Sequence, residues 1–383
     1  MSALLQLQEH GQSYWLDNLT RGMLVDGELA RRVETEGLRG VTSNPAIFHN
    51  AITGSAQYDD DIARFTAHGF GVEEVYDRLT IADVQSACDV LRGVWETSDG
   101  VDGYVSLEVS PHLANDTDGT VREARRLHET VARENVLIKI PGTPAGVPAI
   151  RQALFEGVNV NVTLLFSIAA YEAVAEAHME ALEQRIEAGR PVDNVASVAS
   201  FFVSRIDALT DRQLGALAGA GDIDRSRCEA LLGRAAIANA KLAYVGFRRR
   251  LATDRWARLA ALGARPQRML WASTSTKNPA YSDVMYVEPL IGDLTVNTLP
   301  ENTIDAFRDH GRAACTLNEG VEEARRTMTE LAAVGIDFDG VTDQLLAEGV
   351  EKFADPFDRL LASLEERMAR EPAAAVAAGS ATP

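Results

Sequence analysis

Short apolar runs recur along this chain, separated by longer stretches with helical spacing, and that alternation constrains the fold more than any other feature. The runs are 14–19, 40–43, 104–109, 136–140, 158–164, 195–203, 268–272 and 294–298. Strands alternating with helices are the pattern of an α/β fold. Eight such runs with helices between them predict a closed (β/α)8 TIM barrel with additional helices at the termini. Length alone leaves room for two ordinary domains, and a doubly wound open sheet is the runner-up. No G-x-G-x-x-G motif follows the first run, and no Pro/Gly/Ser-rich linker or internal repeat divides the interior. The economical reading is a single barrel domain over 1–370 and a disordered C-terminal tail over 371–383, a small-residue stretch without pattern.

Several intervening stretches carry a clear face. Val84, Cys88, Leu91 and Trp95 follow the spacing of a buried helical stripe. Thr120 and Glu123 are placed for a capping box, and Ser167 for an N-cap. One long helical region is expected over 225–262, and a helical pair over 304–370.

Composition excludes several classes. A formal net charge of −19 argues against nucleic-acid binding, which relies on a basic surface. No stretch is long and apolar enough to span a membrane, and the N-terminus lacks the basic and apolar regions of a secretory signal. Cys88, Cys228 and Cys315 are far apart, odd in number and without metal-ligand spacing, so they are expected to be reduced packing residues in helices. A cytoplasmic location is expected. The histidines form no metal motif, and neither a P-loop nor a nucleophile elbow occurs, so no metal or nucleotide cofactor is expected. The acidic balance also sets a condition. If the substrate is a phosphate, the site must supply local positive charge of its own.

Catalytic groups of such a barrel sit at the C-terminal ends of the strands. The polar residues there are Asp17, Asn44, Glu108, Lys139, Asn161, Thr163, Ser200, Arg205, Ser275 and Lys277. Lysine is rare in this chain, occurring only at Lys139, Lys241, Lys277 and Lys352, and Lys139 lies inside the apolar run Val136-Leu-Ile-Lys-Ile-Pro141. Strand alternation aims it into the barrel if Leu137 also faces inward. Burying a lone ammonium is costly, which favours the neutral amine that attacks a carbonyl. The bland alternative is a lysine reaching the barrel mouth or pairing with a carboxylate. A lysine nucleophile also needs an acid–base group nearby, and Asp17 and Glu108 are the candidates. Asp17 alone reads more readily as a helix N-cap or turn residue, whereas glutamates are seldom buried unless paired.

Asn161 and Thr163 share one strand face, either to bind substrate hydroxyls and a water or as a hydrogen-bonded barrel layer. Arg205, Ser275 and Lys277 would meet the charge condition by focusing positive potential on a phosphate. Alternatively Arg205 pairs with Asp207 or Asp211 and Lys277 is simply solvated.

Together these segments resemble the transaldolase family in its longer bacterial form, over nearly the whole chain. The pieces, in the family's order, are Gly40-Val-Thr-Ser-Asn-Pro45, Val105-Ser-Leu-Glu-Val109, Leu137-Ile-Lys-Ile-Pro-Gly-Thr143 and Asn159-Val-Asn-Val-Thr-Leu-Leu-Phe-Ser167. Ser200-Phe-Phe-Val-Ser-Arg205, Leu270-Trp-Ala-Ser-Thr-Ser-Thr-Lys-Asn-Pro279, Val296-Asn-Thr-Leu-Pro-Glu-Asn-Thr303 and Glu348-Gly-Val-Glu-Lys-Phe353 follow.

The resemblance implies a dihydroxyacetone transfer between sugar phosphates through a Schiff base on Lys139. It implies Asp17 as the shuttle for the hydroxyl proton beside the breaking bond, and Glu108 with Thr163 as holders of the water of carbinolamine dehydration. Asn44 and Asn161 would bind the dihydroxyacetone, and Ser200, in the Ser200-Phe-Phe-Val-Ser-Arg205 piece, is a further substrate-binding candidate. Arg205, Ser275 and Lys277 would take the phosphate. The expected partners are sugar phosphates, with the chain working as a monomer or homodimer. Two departures bear on the phosphate grip. The best-known branch has Ser-Pro-Phe-Val-Gly-Arg where this chain has Ser-Phe-Phe-Val-Ser-Arg, and an arginine where this chain has Lys277. A fructose-6-phosphate-type aldolase on the same scaffold is the nearest alternative. A non-catalytic sugar-phosphate-binding barrel would be expected to lack Lys139, Asp17 or Glu108.

Overall fold

The computed structural model describes residues 2–220 and 224–379, with side chains through 370. Eight parallel strands close into one barrel in the order β1 to β8, with β1 hydrogen-bonded to β8. They are β1 (Gln12–Leu16), β2 (Gly40–Thr42), β3 (Tyr104–Glu108), β4 (Val136–Pro141), β5 (Val160–Leu165), β6 (Ser197–Phe202), β7 (Arg268–Ala272) and β8 (Thr295–Leu299). Every residue of all eight strands is buried. That is what a barrel filled by side chains and sheathed in helices requires. At Gly40 the close approach of Trp15 demands glycine, since a Cβ there would stand 2.5 Å from the indole.

All eight expected strands form, with shifted ends. The first begins at Gln12, two residues earlier than its apolar run, because Gln12 is buried with its amide donating to Leu290 O (2.7 Å) and Thr295 Oγ1 (3.0 Å). Asp17 therefore lies just beyond β1, its N–H still donating to Leu299 O at 2.9 Å. The N-terminal end of the barrel is plugged by a buried polar cluster. Arg268 donates to Asp102 and Ser13 at 2.8 and 2.9 Å, and Ser13 donates to Asp102 at 2.7 Å.

The helices depart further from expectation. Asp116, not Thr120, caps Thr117–Val131, accepting from Gly119 N at 3.0 Å. The hydroxyl of Thr120 is taken by Leu113 O, and Glu123 pairs with Arg126, so no capping box forms. Ser167 does cap Ile168–Glu187. The long region 225–262 is three helices, Arg225–Glu229, Ala235–Leu251 and Asp254–Ala260, interrupted at Gly233 and recapped by Thr253. The closing pair is also three: Glu301–His310, Val321–Ala333 and Phe338–Gly379. Cys88 and Cys228 are buried in helices, but Cys315 is exposed and lies between helices.

The closing helix Phe338–Gly379 packs on Pro45–Thr53, Val72–Thr97 and Ser204–Ala220 and reaches β5. It lies so close there that a Cβ on Gly349 would come within 2.9 Å of Leu164. The expected tail at 371–383 falls outside the described side chains, and 380–383 lie outside the described residues altogether. No described helix is long and apolar enough to cross a membrane.

Candidate active site

Register places Glu108 beside Lys139 on β3 and β4, and Lys139 beside Asn161 on β5. Lys139 is 6% exposed, its alternation with Ile138 and Ile140 turning it inward. Its Nζ donates to Ser43 O at 3.1 Å and lies 3.3 Å from Glu108 Oε2. The contact with Glu108 is a charge pair without good alignment, for neither glutamate oxygen has a hydrogen-bond partner among the described residues. Phe353, carried in by the closing helix, lies with its ring centre 5.6 Å from Nζ. The lysine thus enters a cavity of about 210 Å³ at the C-terminal end of the barrel.

Asp17 lines the same cavity. Its Oδ1 accepts from Thr42 Oγ1 at 2.9 Å, and Thr42 shares a hydrogen bond of 2.7 Å with Thr298. A relay Thr298 to Thr42 to Asp17 therefore fixes the carboxyl. Burial pushes the Asp17 carboxyl above the usual range, opposed by Lys139 and by the Thr42 hydroxyl. Burial likewise raises Glu108, again opposed by Lys139. Burial thus favours the protonated form of both carboxyls, which equips them to give and take a proton beside the lysine.

Below the lysine the floor is a polar layer. Asn161, 0% exposed, donates to Ser106 Oγ (3.0 Å) and accepts from Ser200 Oγ (2.7 Å). It does not line the cavity, so the hydrogen-bonded-layer reading describes its contacts, whereas Ser200 and Thr163 do line it. Thr163 Oγ1 has no partner among the described residues and is free for a substrate atom or a water. An irregularity adjoins it. The β5–β6 register shifts between Val162 and Leu165, and Leu164 takes a left-handed φ of 60°. Such bulges re-aim side chains beside active sites, and a non-glycine residue there stores roughly 1–3 kcal/mol of strain.

Asn44 caps Pro45–Thr53, its side-chain oxygen accepting from Ile47 N at 3.0 Å. It still lines the cavity, so its amide N–H groups are what it can offer a ligand. At the opposite side stand Arg205, Ser275 and Lys277. Arg205 opens Ser204–Ala220 and lies over the Phe202 ring at 5.5 Å. Among the described residues it pairs with neither Asp207 nor Asp211, which are engaged by other donors. Lys277 donates to Ser275 Oγ at 2.5 Å. Burial, and then the neighbouring Arg205 charge, pull the Lys277 ammonium down. Two partly desolvated cations side by side are a site that an arriving anion stabilises.

The structure thus gathers Lys139, Asp17, Asn44, Thr163, Ser200, Arg205, Ser275 and Lys277 around one cavity, with Glu108 behind the lysine and Asn161 beneath. Sequence reasoning missed Thr42, Thr298 and Phe353. The parity of Thr42 with Asn44 was the available signal for the first, and nothing in the helical spacing marked the last.

Fold and site together define a (β/α)8-barrel enzyme whose chemistry centres on a buried lysine flanked by two carboxyls. The matching family model is described as transaldolase/fructose-6-phosphate aldolase and covers residues 14–364. The chain is similar to a protein named Transaldolase 2 from Nostoc sp., 48% identical over 371 residues, spanning 95% of this chain and 97% of that one. It is 47% identical over 368 residues to a transaldolase of Frankia alni, covering 96% and 98% of the two chains. With a transaldolase of Thiobacillus denitrificans it shares 48% identity over 354 residues, 92% and 97% of the two chains. The chain belongs to the transaldolase/fructose-6-phosphate aldolase family.

Proposed function

We infer that this chain is a transaldolase, carrying dihydroxyacetone from sedoheptulose 7-phosphate to glyceraldehyde 3-phosphate to give erythrose 4-phosphate and fructose 6-phosphate. One observation carries the reading. The Lys139 amine enters a small cavity with Asp17 on its wall and the Arg205–Lys277 cations across from it.

The neutral Lys139 Nζ attacks the ketose C2 carbonyl and forms a C–N bond. Glu108, in contact with Nζ at 3.3 Å, donates the proton with which the carbinolamine hydroxyl leaves as water, and Thr163 holds that water. The resulting iminium draws in the electrons of the C3–C4 bond as it breaks. Asp17 takes the proton of the C4 hydroxyl, and the first aldose phosphate departs. The enamine that remains attacks the acceptor aldehyde, Asp17 returns its proton to the new hydroxyl, and water hydrolyses the iminium to free Lys139. Asn44 and Ser200 hold the three-carbon unit, with Asn161 orienting Ser200 from below. Arg205, Ser275 and Lys277 hold the phosphate.

A free aldolase would release the three-carbon unit to water. The closing helix covers Lys139 with Phe353, which supports retention of the enamine until an acceptor arrives. The reaction belongs to the non-oxidative pentose phosphate pathway. A cytoplasmic location fits the three unpaired thiols. The chain would work as a monomer or a homodimer.

The test is acceptor dependence. Incubated with fructose 6-phosphate and erythrose 4-phosphate, the protein should form sedoheptulose 7-phosphate much faster than it liberates dihydroxyacetone without acceptor. Equal rates would make it a free aldolase.

A further inference from the structure

The phosphate end is built from two segments far apart in the chain, and something must hold them in register. Arg205 sits in the first turn of Ser204–Ala220, whereas Ser275 and Lys277 lie in an irregular segment after β7. At its start that segment is tied to the helix by backbone bonds. Val203 N donates to Ala272 O and Ser204 N to Ser273 O, both at 3.0 Å. Ser273 itself takes a left-handed φ of 56°.

Beyond Lys277 the segment returns to the same helix through two phenols. Tyr281 donates to Asp211 Oδ2 at 2.7 Å, and Tyr286 donates to Asp207 Oδ2 at 2.9 Å. Asp207 and Asp211 are one helical turn apart, on the helix that carries Arg205. Their other oxygens are also engaged. Ala236 N donates to Asp207 Oδ1 at 2.8 Å and Gly233 N to Asp211 Oδ1 at 2.9 Å. Asp207 is 1% exposed. Gly233 makes room for the first phenol, for a Cβ there would meet Tyr281 Cζ at 2.9 Å. Within the segment, Thr276 Oγ1 donates to Ser282 O at 2.8 Å, so Lys277 sits inside a loop closed on itself and pinned at both ends. None of these four side chains lines the cavity.

We propose that the Tyr281–Asp211 and Tyr286–Asp207 pairs are positioning residues for the phosphate end, setting the separation of Lys277 from Arg205 and so the selectivity for phosphorylated sugars. The proposal rests on the reading of Arg205, Ser275 and Lys277 as the phosphate site. A buried hydroxyl–carboxylate bond can hold a loop where chain continuity alone cannot, because it resists the entropy of an irregular segment. The device suits a lysine grip in particular. A point charge on a flexible stem carries no planar fork to define its geometry, so its placement must come from its loop.

The experiment uses the full chain with Tyr281→Phe and Tyr286→Phe, singly and combined, which keep both rings and remove only the hydroxyls. In the double variant the KM for fructose 6-phosphate should rise about tenfold, with kcat within about twofold, the signature of lost uniform binding. Inhibition by inorganic phosphate should weaken in parallel. Borohydride-trapped adduct on Lys139 from unphosphorylated dihydroxyacetone should form as in the wild type. Unchanged KM and phosphate inhibition in the double variant, even with a lowered melting temperature, would overturn the proposal. If the double variant does not fold, Tyr281→Phe, whose ring is only half-buried, decides by the same KM. Failure of inorganic phosphate to compete in the wild type would instead overturn the phosphate site itself, and the proposal with it.

Discussion

Lys139 can act as a nucleophile only if a neighbour takes its proton, and the two candidates differ in what they touch. Glu108 is in contact with the amine, whereas Asp17 faces the cavity and is steadied by Thr42. Asp17→Asn should therefore lower kcat by roughly 10²–10⁴ while leaving the Lys139 adduct able to form, as stopped assays and borohydride trapping would show. The same substitution bears on stability. Burial raises the Asp17 carboxyl, so its stabilising contribution is present at low pH and lost as pH rises through the folded value. At pH 8 the Asn variant should melt no lower than the wild type, a stability gained at the expense of activity. Glu108→Gln should instead slow adduct formation itself, read as the rate of trapping at short times. Lys139, Asp17 and Glu108 were legible because charged groups at apolar strand ends demand an explanation. Thr42 and Thr298 were not, because threonine inside a strand reads as a strand former. Asn161 was read either as a substrate-binding residue or as part of a hydrogen-bonded layer, and its bonds to Ser106 and Ser200 are those of the layer.

Among the elements, the closing helix connects packing to chemistry. Gly349 lets it approach Leu164, and Phe353 then covers the amine. Phe353→Ala should open the intermediate to water, raising dihydroxyacetone release relative to transfer in assays with limiting acceptor. Its cost in stability should be modest, about 1–3 kcal/mol, because the residue lies at the barrel mouth. An aromatic at helical spacing is ordinary core in a sequence, so its function emerges only when the helix is seen crossing the barrel. The strands were legible because each is buried on both faces. Their ends were not, since Gln12 joins β1 only through side-chain bonds to residues far along the chain. Helix limits failed for a similar reason. Gly233, a left-handed break, also receives Tyr281 and donates to Asp211, contacts invisible in local spacing.

At the scale of the whole molecule, a net charge of −19 surrounds a site that collects Arg205 and Lys277. The acidic surface repels a phosphate at long range, and the two cations decide binding at contact, where screening by salt is weak. The buried Asp207 carboxyl behind them makes the fold sensitive to pH. Burial pushes Asp207 from an ordinary 3.8 up to about 7, with Asp211 adding repulsion and Tyr286 and the Ala236 N–H opposing the rise. Its folded value being raised, its contribution is complete below the unfolded value and declines between the two, at roughly 1.4 kcal/mol per pH unit. Asp207→Asn lacks this decline. Its melting temperature relative to the wild type should climb as pH goes from 4.5 to 7 and level off above, as calorimetry would record.

Covalent chemistry at Lys139 can be read out by trapping. The protein is incubated with fructose 6-phosphate and reduced with borohydride, and the modified peptide is located by mass spectrometry, with Lys139→Ala as control. A dihydroxyacetone-sized adduct confined to Lys139 and lost in the control is the expected result. An adduct on Lys277, Lys241 or Lys352, or none at all under turnover conditions, would contradict it.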